Sequence, residues 1–360
     1  MKLLPQLLAQ GRHDMRFGFG PFSAEQHGKI GLTEAYEIMG DAVELAENTG
    51  FDSAWIAERH FSEDGYCPAA FVAAANLAAR TESIRIGVMS ILGLSHPLYF
   101  AEDAAVLDNL SGGRAIICPI NAVAHEIKGY GISEADYLGR YTESLDVLFK
   151  AWGARPFRAD GKIWTIPAQF DGHTENVSGM VMASPKPAQF DLPVWLGGFW
   201  EPGRTLAAEL GLPMMLGSIS DNQALGSLWS AYDEKTKNPR AAQHIVVRDI
   251  YVSTADDPAA EVAPMLTRQF ERYNDWGLWN GDPSDFETLA RGRFIIGNPE
   301  QVIEQIKVLD DTLGIDHLLC RMHFPGMPLH QLISSMTLFS REVIPEFRMS
   351  DLPRQIRVGV

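Results

Sequence analysis

Along the chain, short runs of consecutive apolar residues alternate with longer stretches in which apolar residues recur every three or four positions. Residues 15–20 (MRFGFG), followed by Pro21, read as a short strand leading into an irregular loop. From Thr33 the period changes. Ala35, Ile38, Met39, Ala42, Val43 and Ala46 fall on one helical face, with Thr33 placed as N-cap and Gly50 just past the end. This couple recurs: 51–57 (FDSAWIA), 84–91 and 114–120 predict buried strands, and 69–79, 97–110 and 134–152 predict the helices that follow them.

The rhythm breaks over about 155–192, where turn residues, short β-like runs and Ser184-Pro185-Lys186-Pro187 predict a hairpin-like insertion. Alternation resumes with strands at 193–197, 213–216 and 244–253, each followed by a helix (202–210, 222–237, 258–276). Residues 277–297 are polar, aromatic and without period, which predicts a loop able to close over a site as a lid. Asn298-Pro299-Glu300-Gln301 then supplies an N-cap, a proline at the first helical position and a glutamine placed to complete a capping box. Val302, Ile306, Leu309 and Leu313 mark its buried stripe; a strand at 315–322 and a helix at 329–347 close the chain.

Eight buried strands alternating with helices imply a parallel sheet covered by helices. The expected fold is therefore α/β: a (β/α)8 TIM barrel with insertions after strands four and seven. No linker interrupts it, so residues 1–360 are expected to form a single domain, preceded by a leading arm at 1–14 (MKLLPQLLAQGRHD) without a cleavage pattern.

Composition narrows the partners. A formal charge of −16 repels polyanions on average, so nucleic acid is not an expected partner. No apolar run reaches the roughly 18–20 residues that span a bilayer, and Cys67, Cys118 and Cys320 are odd in number and widely spaced, which suits a reducing compartment. The expected location is cytoplasmic. No histidine shows metal-ligand spacing, so no metal is expected.

In a β/α barrel, chemistry sits on loops at the carboxyl ends of strands. There, Trp55-Ile56-Ala57 runs directly into Glu58-Arg59-His60-Phe61. Such a cluster costs desolvation unless its members pair or serve a ligand. One reading is an internally satisfied ion pair capping the core; the other has Glu58 and Arg59 fixing the loop while His60 hydrogen-bonds to, or exchanges a proton with, a bound intermediate. Phe19, Phe22, Trp55, Phe199 and Trp200 are candidate cavity walls. His323 follows the last strand and is a candidate for the substrate pocket together with Phe19, whereas His96 before Pro97 suits either a ligand contact or a helix cap.

These residues also carry a resemblance. W-x-x-E-R-H-F from Trp55, Phe71 to Leu77 (FVAAANL) and Thr81 to Gly87 (TESIRIG) are followed by His96-Pro97, Glu102-Asp103, Leu107-Asp108 and Ser111-Gly112-Gly113-Arg114. Glu209 to Met214 (ELGLPM), Gly314-Ile315-Asp316 and Pro325-Gly326-Met327-Pro328 complete the series. In this order the chain resembles the bacterial-luciferase-like flavin monooxygenases. The resemblance implies a (β/α)8 barrel, reduced FMN at the strand ends, supply of that FMN by a separate flavin reductase, and oxygenation of a small organic substrate by dioxygen through a flavin peroxide. A homodimer is also implied. Met89 and Ser90 match the family's flavin-facing position, which in relatives includes a non-proline cis peptide. Asn121 falls in the loop after strand four, and Gly197, Gly198, Trp200 and Arg204 fall in the phosphate region after strand five; glycine backbone N–H groups, a helix start and a guanidinium suit an anion.

The chain departs from luciferase in three places. Luciferase carries two adjacent histidines where this chain has Arg59 and His60; an arginine stays protonated, so it suits holding an anionic oxygen or substrate instead of acting as a base. After strand four, the arginine that luciferase places near phosphate is replaced within Pro119 to His125 (PINAVAH). After strand five, luciferase's acid and hydroxyls are missing. Two competing readings therefore stand beside the monooxygenase: a deazaflavin-dependent hydride-transfer enzyme of the same fold, and a flavin-binding protein without catalysis.

Overall fold

A computed structural model describes residues 15–22, 31–62, 67–168, 179–238 and 243–348; the expected leading arm lies outside them. In chain order the strands are β1 (Arg16–Phe22), β2 (Ser53–Ala57), β3 (Arg85–Ile91), β4 (Ala115–Ile120), β5 (Ala159–Asp160), β6 (Thr165–Ile166), β7 (Leu196–Gly197), β8 (Met214–Leu216), β9 (His244–Val252), β10 (Phe294–Gly297) and β11 (His317–Arg321). Eight of them run parallel in the order β4-β3-β2-β1-β11-β9-β8-β7, and a parallel bridge between Ile117 and Val194 brings β4 back to the segment before β7. The expected barrel is present. Helices cover its outside, and β5 and β6 pair antiparallel as a hairpin within the predicted insertion.

Several boundaries differ for local reasons. The first described helix, Leu32–Asn48, starts from Gly31 with no side-chain cap, so Thr33 lies inside its first turn instead of capping it. A six-residue helix, Ala124–Gly129, follows β4; it is too short to show a period. Residues 277–297 are not wholly loop. Asp285 caps a five-residue helix, Phe286–Ala290, by accepting from Thr288 N–H, and β10 pairs with Asp249–Val252 of β9, outside the ring. At Asn298 the capping box forms in both directions, each bond 2.9 Å long, and the four stripe residues are buried as their spacing requires.

Side-chain alternation along β1 decides what the barrel holds. Phe17 and Phe19 point outward and pack edge-on against Phe339 and Phe51, at 5.5 and 5.9 Å between ring centroids. Gly18 points inward, where a Cβ would fall 2.4 Å from Leu319 and 2.7 Å from Ser53 Oγ. Gly87 likewise leaves room for Trp55, whose ring would lie 2.1 Å from an added Cβ. Trp55 therefore fills the barrel floor, stacked on Trp195 at 4.8 Å and donating to Ser53 Oγ at 2.8 Å.

Ser53 Oγ also lies 3.1 Å from His317 Nε2, and burial, with Arg16 and Arg85 nearby, pushes the His317 imidazole down to about 3. Unfolded histidine titrates near 6.5, so between these values the unfolded chain takes up a proton that the folded chain refuses. Stability contributed by the neutral ring is full above about pH 6.5 and declines by about 1.4 kcal/mol per pH unit below it. Urea unfolding at pH 7 and pH 5 is expected to show a loss of about 2 kcal/mol from this group, absent in His317→Gln. An equal loss in the variant would contradict the assignment.

Candidate active site

The carboxyl ends of the strands surround an open-mouthed cavity of about 70 Å3. Its wall is mainly apolar, drawn from Ala57, Met89, Ile120, Phe199, Val247, Trp276 and Leu278 among others, so every barrel quadrant contributes. Two guanidiniums, Arg59 and Arg321, also reach it, and no carboxylate lines it among the described residues.

Arg321 is neutralised from behind. Asp249, fully buried on β9, meets its Nε at 2.6 Å and one terminal nitrogen at 2.9 Å, a two-point carboxylate contact. Ser218 Oγ accepts from the same terminal nitrogen at 3.0 Å, and the Tyr273 hydroxyl accepts from the other. On the outward side of β9, Arg248 donates to Asn222 Oδ1 at 2.7 Å and to the Ser220 carbonyl at 3.1 Å, and burial lowers it to about 10. It ties down the loop after β8, whose Gly217 and Ser218 form part of the cavity wall. None of these residues was singled out from the sequence. The available signal was Arg248-Asp249 inside the apolar run of β9, a charged pair that a buried strand tolerates only when both members find partners.

The Glu58-Arg59-His60 segment behaves differently at each position. Arg59 lines the central cavity, whereas Glu58 and His60 turn into a neighbouring hollow with Ser90, Phe71, Phe100 and Tyr130. Glu58 Oε1 lies 2.8 Å from His60 Nε2, and its second oxygen accepts from Ser90 Oγ. The Tyr130 hydroxyl lies 3.1 Å from His60 Nδ1; burial, with Glu58 and Glu126 nearby, raises this phenol and keeps it protonated. A phenol donating to Nδ1 leaves Nε2 as the N–H that donates to Glu58.

Glu126, on the short helix after β4, fastens this segment from below. It is fully buried; one oxygen accepts His60 N–H at 2.9 Å and the other accepts Val123 N–H at 2.8 Å. Glu126 lies in, and Tyr130 caps, an element too short to read from periodicity, so sequence reasoning passed over both.

The other predicted positions scatter around the mouth. Met89 lines the central cavity and Ser90 the neighbouring hollow, as successive residues of a strand must. The cis peptides among the described residues are Gly20-Pro21, Ile166-Pro167 and Ser184-Pro185, so the Met89-Ser90 bond is trans. Asn121 offers its carbonyl to Arg59 at 3.5 Å. Gly197 ends β7, Gly198 N–H is taken by the Met215 carbonyl at 2.8 Å, and Arg204 donates to the Gly198 carbonyl at 3.1 Å. Trp200 precedes the helix Glu201–Leu210, which has no side-chain cap, and the buried Trp200 indole Nε1 has no hydrogen-bond partner among the described residues. Phe199, between these residues, is a wall of the cavity.

Neither substrate-pocket candidate lines the cavity. Phe19 belongs to the outward face of β1, against Phe51. His323 stacks on Phe22 at 4.4 Å, and burial lowers it to about 4, so it is neutral near pH 7. His96 caps the helix Pro97–Leu110, its Nδ1 accepting Leu98 N–H at 3.2 Å. No group of three or more His, Cys, Asp or Glu side chains suited to a metal occurs among the described residues.

Taken together, the strand ends offer a mainly apolar cavity, two guanidiniums on its wall of which Arg321 is neutralised by Asp249, and a hydrogen-bonded Ser-Glu-His-Tyr chain beside it. Residues 15–317 match the family model of luciferase-like monooxygenases. Similar proteins include the alkanal monooxygenase alpha chain of Aliivibrio fischeri, 24% identical over 92% of this chain and 98% of that protein. The oxygenase component of the flavin-dependent trigonelline monooxygenase of Acinetobacter baylyi is 22% identical over 89% and 92%. Among solved structures, the oxygenating constituent of 3,6-diketocamphane monooxygenase of Pseudomonas putida, a Type II Baeyer-Villiger monooxygenase in complex with FMN, superposes with a TM-score of 0.75. It shares 22% identity and covers 93% of this chain and 98% of its own. The coenzyme F420 dependent tetrahydromethanopterin reductase of Methanopyrus kandleri reaches a TM-score of 0.68 at 16% identity, covering 93% and 99%.

Proposed function

The chain belongs to the luciferase-like monooxygenase family, and from that premise we propose that it is an oxygenase component that uses reduced FMN and dioxygen to oxygenate a small organic substrate in the cavity at the strand ends. The observation that carries this reading is the pairing of that apolar chamber with an unpartnered, buried indole N–H and an uncapped helix start immediately after its Phe199 wall. An orphaned donor beside a helix N-terminus suits a phosphate-bearing cofactor. In this reading Met89 and Phe199, which line the cavity, flank the flavin rings, and Trp200, Arg204, Gly197, Gly198 and Asn121 serve the phosphate end. The bound flavin supplies the oxygen chemistry.

The protein's own residues do the rest. Arg59 presents fixed positive charge to the chamber; Glu58 and His60, behind it, hold that segment and keep a proton on the imidazole edge. Leu278, at the start of the 277–297 segment, and Trp276, just before it, line the cavity, which supports a lid whose closure excludes water. Of the two oxygenase relatives, one is an oxygenase component and the other an oxygenating constituent of a larger system, which supports a separate flavin reductase as partner. The helices Ala70–Arg80 and Pro97–Leu110 expose Val72, Tyr99 and Leu110, which supports a homodimer through that face. No described helix is long and apolar enough to cross a membrane, and three buried free cysteines fit the cytoplasm.

The test is anaerobic titration with reduced FMN followed by rapid mixing with dioxygen. The expected result is stoichiometric FMN binding and a delayed, multiphase return of oxidised-flavin absorbance. Return in one phase at the rate of free flavin, with cofactor demonstrably bound, favours a binding protein without catalysis; selective binding of a deazaflavin favours hydride transfer. Either outcome overturns the oxygenase reading.

A further inference from the structure

The cavity holds two guanidiniums, and only one is spoken for. Arg321 spends its donors on Asp249, Ser218 and Tyr273. Arg59 has five N–H donors and, among the described residues, only two weak side-chain contacts: the Asn121 carbonyl at 3.5 Å and Glu126 Oε2 at 3.8 Å. Glu126 cannot come closer without loss, because its oxygens already accept the His60 and Val123 backbone N–H groups at 2.9 and 2.8 Å. Yet the Arg59 side chain is only 13% exposed. A guanidinium that is largely removed from water and left with open donors wants an anionic acceptor.

The rest of the cavity says what carries that acceptor. Phe199, Tyr273 and Trp276 present rings, with Met89 and Ile120 filling between them. We propose that the substrate of this site is a small organic anion, a carboxylate or comparable anionic oxygen on a flat apolar body, held by Arg59. The proposal rests on reading this cavity as the active site and names the substrate class for it. Bulk electrostatics do not supply the preference: a chain of net charge −16 repels anions on average, so discrimination for an anion has to be local. A planar guanidinium meets a carboxylate through two parallel N–H···O bonds, which a neutral amide of the same shape cannot reproduce.

An Arg59 anion site has two possible occupants, the substrate or the FMN phosphate, and binding measurements separate them. The probes are benzoate and its neutral isostere benzamide, titrated calorimetrically into the full-length protein with and without FMN, and FMN against riboflavin. Benzoate is expected to bind at least about tenfold more tightly than benzamide. Arg59→Gln is expected to abolish that ratio while leaving benzamide within about twofold, and Arg59→Lys to restore part of it. Equal affinities for the two probes in the unmodified protein, or no binding of either, overturn the proposal without reference to any variant. So does an Arg59→Gln protein that loses its preference for FMN over riboflavin but keeps its preference for benzoate. Failure here with a multiphase flavin return intact removes only the substrate class; loss of the multiphase return with anion discrimination intact removes the oxygenase reading instead.

Discussion

Asp249→Ala is expected to destabilise the protein by about 3–5 kcal/mol, measured as the loss in unfolding free energy from urea titrations at constant slope. Asp249 is fully buried and meets Arg321 at 2.6 and 2.9 Å, with Gln269 Nε2 a further 3.4 Å contact. The carboxylate and the guanidinium were both taken out of water to make this pair, and most of the cost is recovered by their mutual attraction. Removing one member leaves the other charged, buried and short of acceptors; the Tyr273 and Ser218 hydroxyls that remain carry no full charge. Replacing both, as Asp249→Leu with Arg321→Met, is expected to recover most of the loss, because both charges leave together. A single-variant loss below about 1 kcal/mol would mean that Arg321 finds water in the cavity and that the pair is not a buried one.

The second large effect concerns turnover. His60→Ala is expected to lower oxygen consumption coupled to product by about 100-fold, with the thermal midpoint little changed. The imidazole lies 2.8 Å from Glu58 and 3.1 Å from Tyr130, and its backbone N–H is fixed by Glu126 at 2.9 Å. Truncation keeps the backbone bond, so the segment folds, but Glu58 and the Tyr130 phenol lose the group that joins them. Arg59, next in the chain, then samples orientations that no longer face the cavity. His60 is accordingly a positioning residue, and the loss is expected in kcat, with KM for reduced flavin within about threefold. His60→Gln keeps a donor toward Glu58 and is expected to recover part of the rate. Unchanged coupled turnover in a folded His60→Ala protein would remove the role.

Much of this architecture was readable from the chain. Strands β1 to β4 are runs of apolar residues bounded by glycines, prolines or charges, and helices such as Pro97–Leu110 and Glu134–Trp152 end where their caps and periods end. Short elements escaped. Phe286–Ala290 and Ala124–Gly129 span five and six residues, less than two turns, and β10 is a four-residue strand whose partner residues lie 45 positions earlier. The Glu58-Arg59-His60 cluster was visible because an apolar strand runs into three polar residues. Its division was not, since whether neighbouring side chains share one hollow depends on where the surrounding loops stand.

From the sequence alone came the barrel, its order of strands and helices, and the charged segment at the end of β2, because periodicity and capping are local properties that the chain carries along its own length. The tertiary structure alone decided that Arg59 faces the chamber while His60 faces away, that Asp249 neutralises Arg321 across 72 positions, and that Phe19 packs against Phe51 outside the ring. Those outcomes depend on strand register and on alternation about the ring, which set side chains far apart in the chain against one another and cannot be computed from any one segment.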